Sequence, residues 1–232
     1  MKTSDADILI VPGWLNSGPD HWQSRWERNL KTARRIDQDD WHAPDRNAWV
    51  GNIVAAVSEA SRPAVLVAHS LGVIALAHAA PKLAPGSVAG AFLVAPADVD
   101  NTQDWPTNQG QAWPADSFGF TPVPMHKLGF PSLLLAADDD PYCSSARATA
   151  FADAWGSNFV DVGQAGHIAD QSGHGPWPDG LLRSASSSPT SMGDGQDFPA
   201  VSMSATALVS ISTIWVRSSV SDTFTPAAAK SL

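Results

Sequence analysis

The sequence predicts an α/β fold in which helices cover both faces of a mostly parallel β-sheet. Short runs of apolar residues, such as "ILIV", "AVLVA" and "AFLVA", recur along the chain and have the length of strands. Their residues are apolar at consecutive positions, which is typical of strands buried on both faces. Segments with apolar residues at helical spacing separate these runs, and strands that alternate with helices form parallel sheets.

The predicted elements follow one another in a regular order. The strands share short runs dominated by apolar residues: "ADILIV", a weakly marked run near residues 31–36, "PAVLVA", "VAGAFLVAP", "PSLLLAAD" and "NFVDV". The helices share apolar residues three or four positions apart: 20–34 with Trp22, Trp26 and Leu30 on one face, then 47–60, 71–80 and 144–155. Strand and helix thus alternate from the first apolar run to the last.

Two segments lack this alternation. Residues 96–131 are rich in Pro, Trp, Asn and Gln, which predicts an irregular excursion over one end of the sheet and no large lid domain. From residue 185 onward the chain is rich in serine and threonine and has few charges. Such a composition buries too little apolar surface to offset the entropy of ordering. We therefore expect one domain over residues 1–184 and a poorly ordered tail over 185–232.

Charge and cysteine content narrow the possible functions. The 232 residues carry a formal net charge of −9, which disfavours nucleic acids and anionic membranes as partners. The single cysteine, Cys143, allows no internal disulfide and suits a reducing compartment. No signal peptide is recognised, and no apolar run approaches the ~18 residues of a membrane helix. We expect a soluble cytoplasmic protein.

The turn "AHSLG" places Ser70 between a buried strand and a helix. It resembles the nucleophile elbow Gly-x-Ser-x-Gly, with Ala68 at the first glycine position. Residues two positions from the serine must be small because the strand and the helix cross closely there, and alanine meets that need. Such a turn exposes the serine hydroxyl and leaves the Leu71 N–H free to stabilise an oxyanion.

A serine hydroxyl needs a base that takes its proton. His167 lies in the glycine-flanked loop "GQAGHIAD", directly after the last predicted strand. In a parallel sheet this loop and Ser70 emerge at the same carboxyl-end edge. His174 is a nearby alternative, and His69 should face away from the nucleophile. His78 lies within the helix after the elbow and should have a packing or surface role, and no motif surrounds His42 or His126.

The base needs an acidic partner, and three consecutive aspartates follow the strand "PSLLLAAD". The chain order Ser, Asp, His is that of an α/β-hydrolase triad. Asp98, after the preceding strand, is an alternative acid. Pro141 restricts the residue before it to extended geometry, which favours Asp140. Alternation along an extended segment directs Asp139 to the opposite side.

The turn after the first strand supplies a second oxyanion donor. Pro12-Gly13 lets the backbone turn sharply and leaves the Trp14 N–H at the same edge as the Leu71 N–H. This signal is weak alone and gains meaning only beside the serine, histidine and aspartate loops.

The combination resembles a known family, the small bacterial serine hydrolases of the α/β-hydrolase superfamily related to retinoblastoma-binding protein 9 and YdeN. The resemblance rests on "VPGWLNSGPDHWQSRWE", "AHSLG", "DDPYCS" and "GHIADQSGHGPWPDG", which together span residues 8–180. The chain departs from the family after "GPWPDG", where the expected amphipathic helix begins as "LLRSASSS" and loses its apolar periodicity.

The resemblance implies an α/β-hydrolase fold and specific site residues. The implied triad is Ser70, Asp140 and His167, with oxyanion N–H groups from Trp14 and Leu71. "PDHW" at 19–22, which contains His21 and Trp22, would shape the mouth of the site. No metal or organic cofactor is implied.

These observations favour a hydrolase that cleaves an ester, thioester or amide of a small-molecule acyl substrate. Trp105 and Trp113 in the irregular excursion would wall an apolar acyl pocket. The alternatives are a peptide- or protein-binding protein that keeps the fold without turnover, and an acyltransferase or peptidase with the same triad. A complete set of nucleophile, base and acid argues against the non-catalytic alternative.

Overall fold

The structure is a computed structural model that describes residues 6–175 and 177. Six strands form its sheet: β1 (Asp7–Val11), β2 (Ala33–Arg35), β3 (Ala64–Ser70), β4 (Val88–Pro96), β5 (Ser132–Ala136) and β6 (Asn158–Asp161). Four α-helices accompany them: α1 (Trp22–Asn29), α2 (Arg46–Ser58), α3 (Leu71–Ala79) and α4 (Ser145–Trp155). Three short 3₁₀ helices lie at Ala80–Lys82, Ser117–Gly119 and Asp170–Ser172.

The sheet order is β2-β1-β3-β4-β5-β6, and every strand pair is parallel. β1 is flanked by β2 on one side and β3 on the other, so the chain changes direction across the sheet at β1. Such a switch point opens a crevice at the carboxyl ends of the strands, where ligands bind in open α/β sheets. The register pairs Val11 with Ala68, so the turn after β1 and the turn after β3 meet at this edge.

Helices cover both faces of the sheet, as predicted. The larger apolar cluster includes Leu9 and Leu66 from the sheet and buried residues of α2, α3 and α4, such as Ile53, Leu76 and Phe151. On the opposite face, α1 contributes Trp22 and Trp26, which pack against Phe92 of β4. The Trp26 and Phe92 rings stack with centroids 5.9 Å apart. Alternate strand residues therefore reach two separate apolar layers, as the pleat requires.

Local signals set the helix ends. Ser144 caps α4 because its side chain accepts a hydrogen bond from the Arg147 N–H, and Gly156 ends the helix in the left-handed conformation. Asp45 caps α2 by accepting from the Ala48 N–H. The predicted helix over 144–155 thus begins one residue later, because its first residue is the cap.

The segment between β4 and β5 is irregular, as predicted. Over its described length it contains the short 3₁₀ helix at Ser117–Gly119 and an isolated bridge between Asn108 and Gln111, with no lid domain. The Ser117 hydroxyl donates to the Val99 carbonyl at 3.1 Å, which ties the middle of the excursion to its start, just after β4. The predicted tail over 185–232 lies outside the described residues. In the described part of the chain, no helix has the length and apolar character needed to cross a membrane.

Candidate active site

Ser70 joins β3 to α3 in a backbone conformation that non-glycine residues rarely adopt. Its φ is 56° and its ψ is −126°. A strained conformation of this kind costs about 1–3 kcal/mol and persists only where the surrounding packing enforces it. The packing here is close, because Gly72 brings the first turn of α3 directly against the backbone of Val11 and Pro12. The strain and the crossing together are those of a nucleophile elbow.

The turn after β1 packs against the same junction. A Cβ atom on Gly13 would lie 2.7 Å from the Ser70 Cβ and 3.2 Å from the Leu71 nitrogen, so only glycine fits. Trp14 follows this contact directly. The Leu71 N–H is the first of α3 and has no carbonyl partner within the helix. The two N–H groups predicted as oxyanion donors therefore belong to segments that touch each other.

The side chains of Ser70, His167 and Asp140 form one continuous chain of hydrogen bonds. The Ser70 Oγ lies 2.8 Å from His167 Nε2, and both carboxylate oxygens of Asp140 lie 2.9 Å from His167 Nδ1. An ionised carboxylate can only accept, so Nδ1 carries the proton and Nε2 accepts from the serine hydroxyl. The Asp140 side chain is inaccessible to solvent, whereas 14% of the His167 side chain is exposed. The base thus faces the crevice and the acid lies behind it.

Asp140 and Asp139 point in different directions, as alternation predicted. Asp140 also accepts from the Tyr142 N–H at 2.9 Å, which fixes the carboxylate against His167. Asp139 instead accepts from the backbone N–H groups of Ala165 and Gly166, at 2.9 and 2.7 Å. Asp139 thus caps the loop that carries the base.

The remaining acidic candidates have other partners. Asp138 lies beside Asp161, whose negative charge raises the pKa of the Asp138 carboxyl. Asp98, the alternative acid, is buried and pairs with Arg147, whose Nε lies 3.1 Å from its Oδ1. Neither carboxylate bonds to His167 in the described part of the chain, which leaves Asp140 as its partner.

The alternative histidines are also engaged elsewhere. Their hydrogen-bond partners are Ser172 Oγ for His174 at 3.2 Å, the Phe120 carbonyl for His78 at 2.9 Å, and Gln111 for His42 at 3.0 Å. Over the described residues, His167 is therefore the histidine that the fold brings to the elbow serine.

Two further histidines lie next to the base. The ring centroids of His21 and His69 are 4.8 Å apart, and those of His69 and His167 are 4.9 Å apart. His21 Nδ1 accepts the Gln23 N–H and caps α1. Burial lowers the pKa of His21 to about 3 and the pKa of His69 well below its usual value. Both rings are therefore neutral at neutral pH and place no positive charge beside His167.

A connected series of aromatic rings extends from Trp14 to His167. Centroid distances are 5.1 Å for Trp14 and Trp113, 5.3 Å for Trp113 and Trp105, 5.2 Å for Trp105 and Tyr142, and 4.4 Å for Tyr142 and His167. The three middle rings are partly exposed and offer apolar surface near the base. We call Trp113, Trp105 and Tyr142 the aromatic strip. Tyr142 was not singled out from the sequence, although it lies within the motif "DDPYCS".

Trp22, like His21, is buried, whereas the other two predicted substrate residues, Trp105 and Trp113, are partly exposed. The Trp22 side chain is fully buried against five rings, those of Trp26, Phe92, Trp177, His21 and His69. Its indole Nε1 donates to the Ile168 carbonyl at 2.9 Å. A buried Trp22 can affect substrate only through its neighbours, among them the loop that carries His167 and the His69 ring.

A groove of about 450 Å³ lies on the α4 side of Tyr142. Trp105 and Tyr142 form its aromatic wall, and Asp98, Asp104 and Arg147 supply its charged side chains. Arg147 is engaged by two carboxylates, Asp98 and Asp100. No group of three or more His, Cys, Asp or Glu side chains within the described residues is arranged to hold a metal ion.

Comparison with known proteins shows the family of this chain. The family of serine hydrolases matches residues 8–185, and the chain belongs to it. No curated protein sequence gives a significant match.

Several solved structures are similar to this chain. A YdeN-like hydrolase from Pectobacterium atrosepticum is 35% identical, with 78% of this chain and 89% of that chain covered and a TM-score of 0.64. The ydeN gene product of B. subtilis is 18% identical, with 77% and 97% covered and a TM-score of 0.59. An esterase domain from Rhodothermus marinus is 16% identical, with 79% and 86% covered and a TM-score of 0.57. The resemblance to YdeN-like α/β-hydrolases is confirmed.

Proposed function

We propose that this member of the serine hydrolase family cleaves carboxylic esters through an acyl-enzyme on Ser70. One observation supports the proposal above all others. The hydrogen-bonded chain from Ser70 to Asp140 through His167 begins at a strained elbow, at the carboxyl edge of the sheet. An esterase domain is among the proteins of the same fold, which favours an ester over an amide.

In the first half-reaction, Ser70 Oγ attacks the acyl carbon and its proton passes to His167 Nε2. Asp140 holds the Nδ1 proton and stabilises the imidazolium. The negative oxygen of the tetrahedral intermediate accepts hydrogen bonds from the N–H groups of Trp14 and Leu71, each worth about 10²–10³ in turnover. The intermediate collapses, the carbon–oxygen bond to the alcohol breaks, and the alcohol takes the proton from His167.

Water completes the cycle. It attacks the acyl carbon and gives a proton to His167 Nε2, and the same two N–H groups stabilise the second oxyanion. The bond to Ser70 Oγ then breaks, the carboxylic acid leaves, and the proton returns to Ser70. A base placed in this way contributes about 10²–10⁴ in rate.

The aromatic strip gives the proposal a substrate class. Trp113, Trp105 and Tyr142 present partly exposed rings between Trp14 and His167, at the edge where an acyl group would lie. Burial of apolar surface against such rings contributes about 25 cal/mol per Å². We expect the enzyme to prefer medium-chain or aromatic acyl groups over acetyl.

A chromogenic ester series and a fluorophosphonate probe test the proposal. The full-length chain should hydrolyse p-nitrophenyl esters and label covalently. Ser70→Ala and His167→Ala should abolish both, whereas His174→Ala should leave labelling intact because that ring bonds to Ser172. Labelling that survives Ser70→Ala would refute the proposal. An inert wild type that retains a peptide would instead favour the non-catalytic alternative.

A further inference from the structure

Side chains from three other elements bind four consecutive residues of the loop that carries the base. We call residues 165–168 the histidine loop. Asp139 accepts from the N–H groups of Ala165 and Gly166, at 2.9 and 2.7 Å. His69 lies 2.9 Å from the His167 carbonyl, and Trp22 donates to the Ile168 carbonyl at the same distance. Side chains of the loop after β5, of β3 and of α1 thus bind the backbone of the histidine loop.

The histidine loop needs such support because its backbone is strained. Ile168 has a φ of 48° and Gly166 a φ of 55°. A positive φ is common for glycine but is an outlier for a β-branched residue such as isoleucine. Strain of this kind costs about 1–3 kcal/mol and relaxes unless other contacts oppose it. Hydrogen bonds at both ends of the loop oppose that relaxation.

The bond from His69 has a defined direction. A carbonyl oxygen can only accept, so His69 Nε2 carries the proton and donates to His167. The His69 ring is buried, with 5% of the residue exposed, and remains neutral because burial lowers its pKa. Since His69 directly precedes Ser70, this bond joins the backbone of the base to the residue next to the nucleophile.

We propose that His69 and Asp139 are positioning residues that hold His167 at hydrogen-bonding distance from Ser70. The hydrogen bond from His69 holds the histidine loop close to the end of β3. The hydrogen bonds to Asp139 fix the backbone of Ala165 and Gly166, which leads into His167. Both side chains act through the histidine loop: Asp139 binds its N–H groups, and His69 binds the His167 carbonyl and packs against the His167 ring. This inference rests on the proposed function, because it concerns the same Ser70–His167 pair.

A matched pair of substitutions tests His69. His69→Gln retains an N–H that can reach the His167 carbonyl, whereas His69→Met has nearly the same length and no donor. A displacement of about 1 Å can cost on the order of 10²-fold in rate. We expect His69→Met to lower kcat by about 10- to 100-fold with little change in KM, and His69→Gln to restore most of the loss.

His78→Met is the control for the loss of a partly buried hydrogen bond from a histidine to a backbone carbonyl. His78 Nε2 also donates to a backbone carbonyl, that of Phe120, at 2.9 Å, but away from the elbow. We expect this variant to lower Tm without changing kcat. Equal kinetic losses in His69→Gln and His69→Met would show that imidazole packing, and not the hydrogen bond, is responsible, and would overturn the inference for His69.

Asp139 is exposed, so its substitutions test the loop without disturbing the core. Asp139→Ala removes the acceptor for two N–H groups and should lower kcat by about 10-fold, whereas Asp139→Asn keeps an acceptor and should remain near wild type. Asp138→Ala is the adjacent control and should have no effect on kcat. An unchanged kcat in Asp139→Ala would overturn the inference for Asp139. The test of Asp139 remains valid even if His69→Met does not fold.

A readout without substrate separates this inference from the proposed function. The Nδ1 proton of His167 is strongly deshielded by Asp140 and can be followed by proton NMR, with its assignment made by its loss in Asp140→Asn. We expect the resonance to shift or broaden in His69→Met and Asp139→Ala but not in His78→Met. If no ester or fluorophosphonate reacts while the resonance responds in this way, the proposed function fails and the positioning roles stand. An unchanged resonance in both variants overturns the positioning roles.

Discussion

A Cβ atom on Gly72 would lie 2.4 Å from the carbonyl oxygen of Val11, a distance that Cβ atoms do not adopt. The helix after the elbow therefore crosses the end of β1 with no space for a side chain. The neighbouring Pro12 carbonyl would be only 2.5 Å away, so movement of one group cannot relieve the contact. This crossing brings the turn of Trp14 beside Ser70.

Gly72→Ala should therefore destabilise the protein and sharply lower its activity. Alanine normally stabilises a helix by about 0.5–1 kcal/mol relative to glycine. A decrease in the free energy of unfolding of Gly72→Ala would therefore indicate the close crossing. Gly51, within α2, has no neighbouring atom near its Cβ position, and Gly51→Ala should show that ordinary gain. Urea unfolding of both variants measures the difference, and a stabilised Gly72→Ala variant would contradict the crossing.

Substitution of each aspartate by asparagine should identify the acid. Asp140→Asn should lower turnover by about 10⁴-fold with the fold intact, because an amide beside Nδ1 leaves the imidazole in the wrong tautomer. Asp138→Asn and Asp139→Asn should have small effects. Asp98→Asn should chiefly weaken the pair with Arg147, which keeps Asp100 as a partner. Steady-state kinetics and circular dichroism of the four variants provide the measurement, and a severe loss confined to Asp98→Asn would contradict the assignment.

Stability should fall as the pH is lowered from about 6.5 towards about 3. The pKa of His21 is about 3 in the folded protein because the ring is buried, but close to 6.5 in the unfolded chain. Between these values the unfolded state binds a proton that the folded state does not, so acid favours unfolding. Each such histidine contributes up to ~1.4 kcal/mol per pH unit. His69 adds to the effect in the same direction.

The variant His21→Asn measures the contribution of His21 to this pH dependence of stability. Asparagine can still cap α1 by accepting the Gln23 N–H, but it does not titrate. We expect the variant to lose less stability than the wild type between pH 6.5 and 5, a range above the usual carboxyl pKa values. Urea unfolding at several pH values gives the slopes. Identical slopes for the two proteins would show that His21 is not held neutral.

The thiol of Cys143 should be inert in the folded protein. Only 4% of the residue is exposed, and burial raises the pKa of the thiol, so little thiolate forms. A disulfide reagent such as DTNB should leave the native protein unmodified at pH 8 and react fully after denaturation. Iodoacetamide should likewise leave catalytic turnover unchanged. Rapid modification of the native protein would contradict the burial of this side chain.

Several features of the fold could be predicted because their signals are local. Consecutive apolar residues marked β1, β3, β4 and β5, and helical spacing marked α2 and α4. The small residues around Ser70 predicted the elbow, since the close crossing of strand and helix excludes larger ones. β2 was only approximately placed because its three residues, Ala33–Arg35, include two arginines and carry no apolar pattern.

The sequence by itself determined the α/β alternation, the elbow at Ser70 and the chain order of serine, aspartate and histidine. These follow from short-range periodicity and from steric demands on a few neighbouring residues. Only the tertiary structure decided that Asp140 meets His167 while Asp98 pairs with Arg147, that Tyr142 packs on the base, and that His69 binds the His167 carbonyl. Such contacts join residues far apart in the chain, and their distances depend on how the strands and helices pack together, which no local pattern encodes.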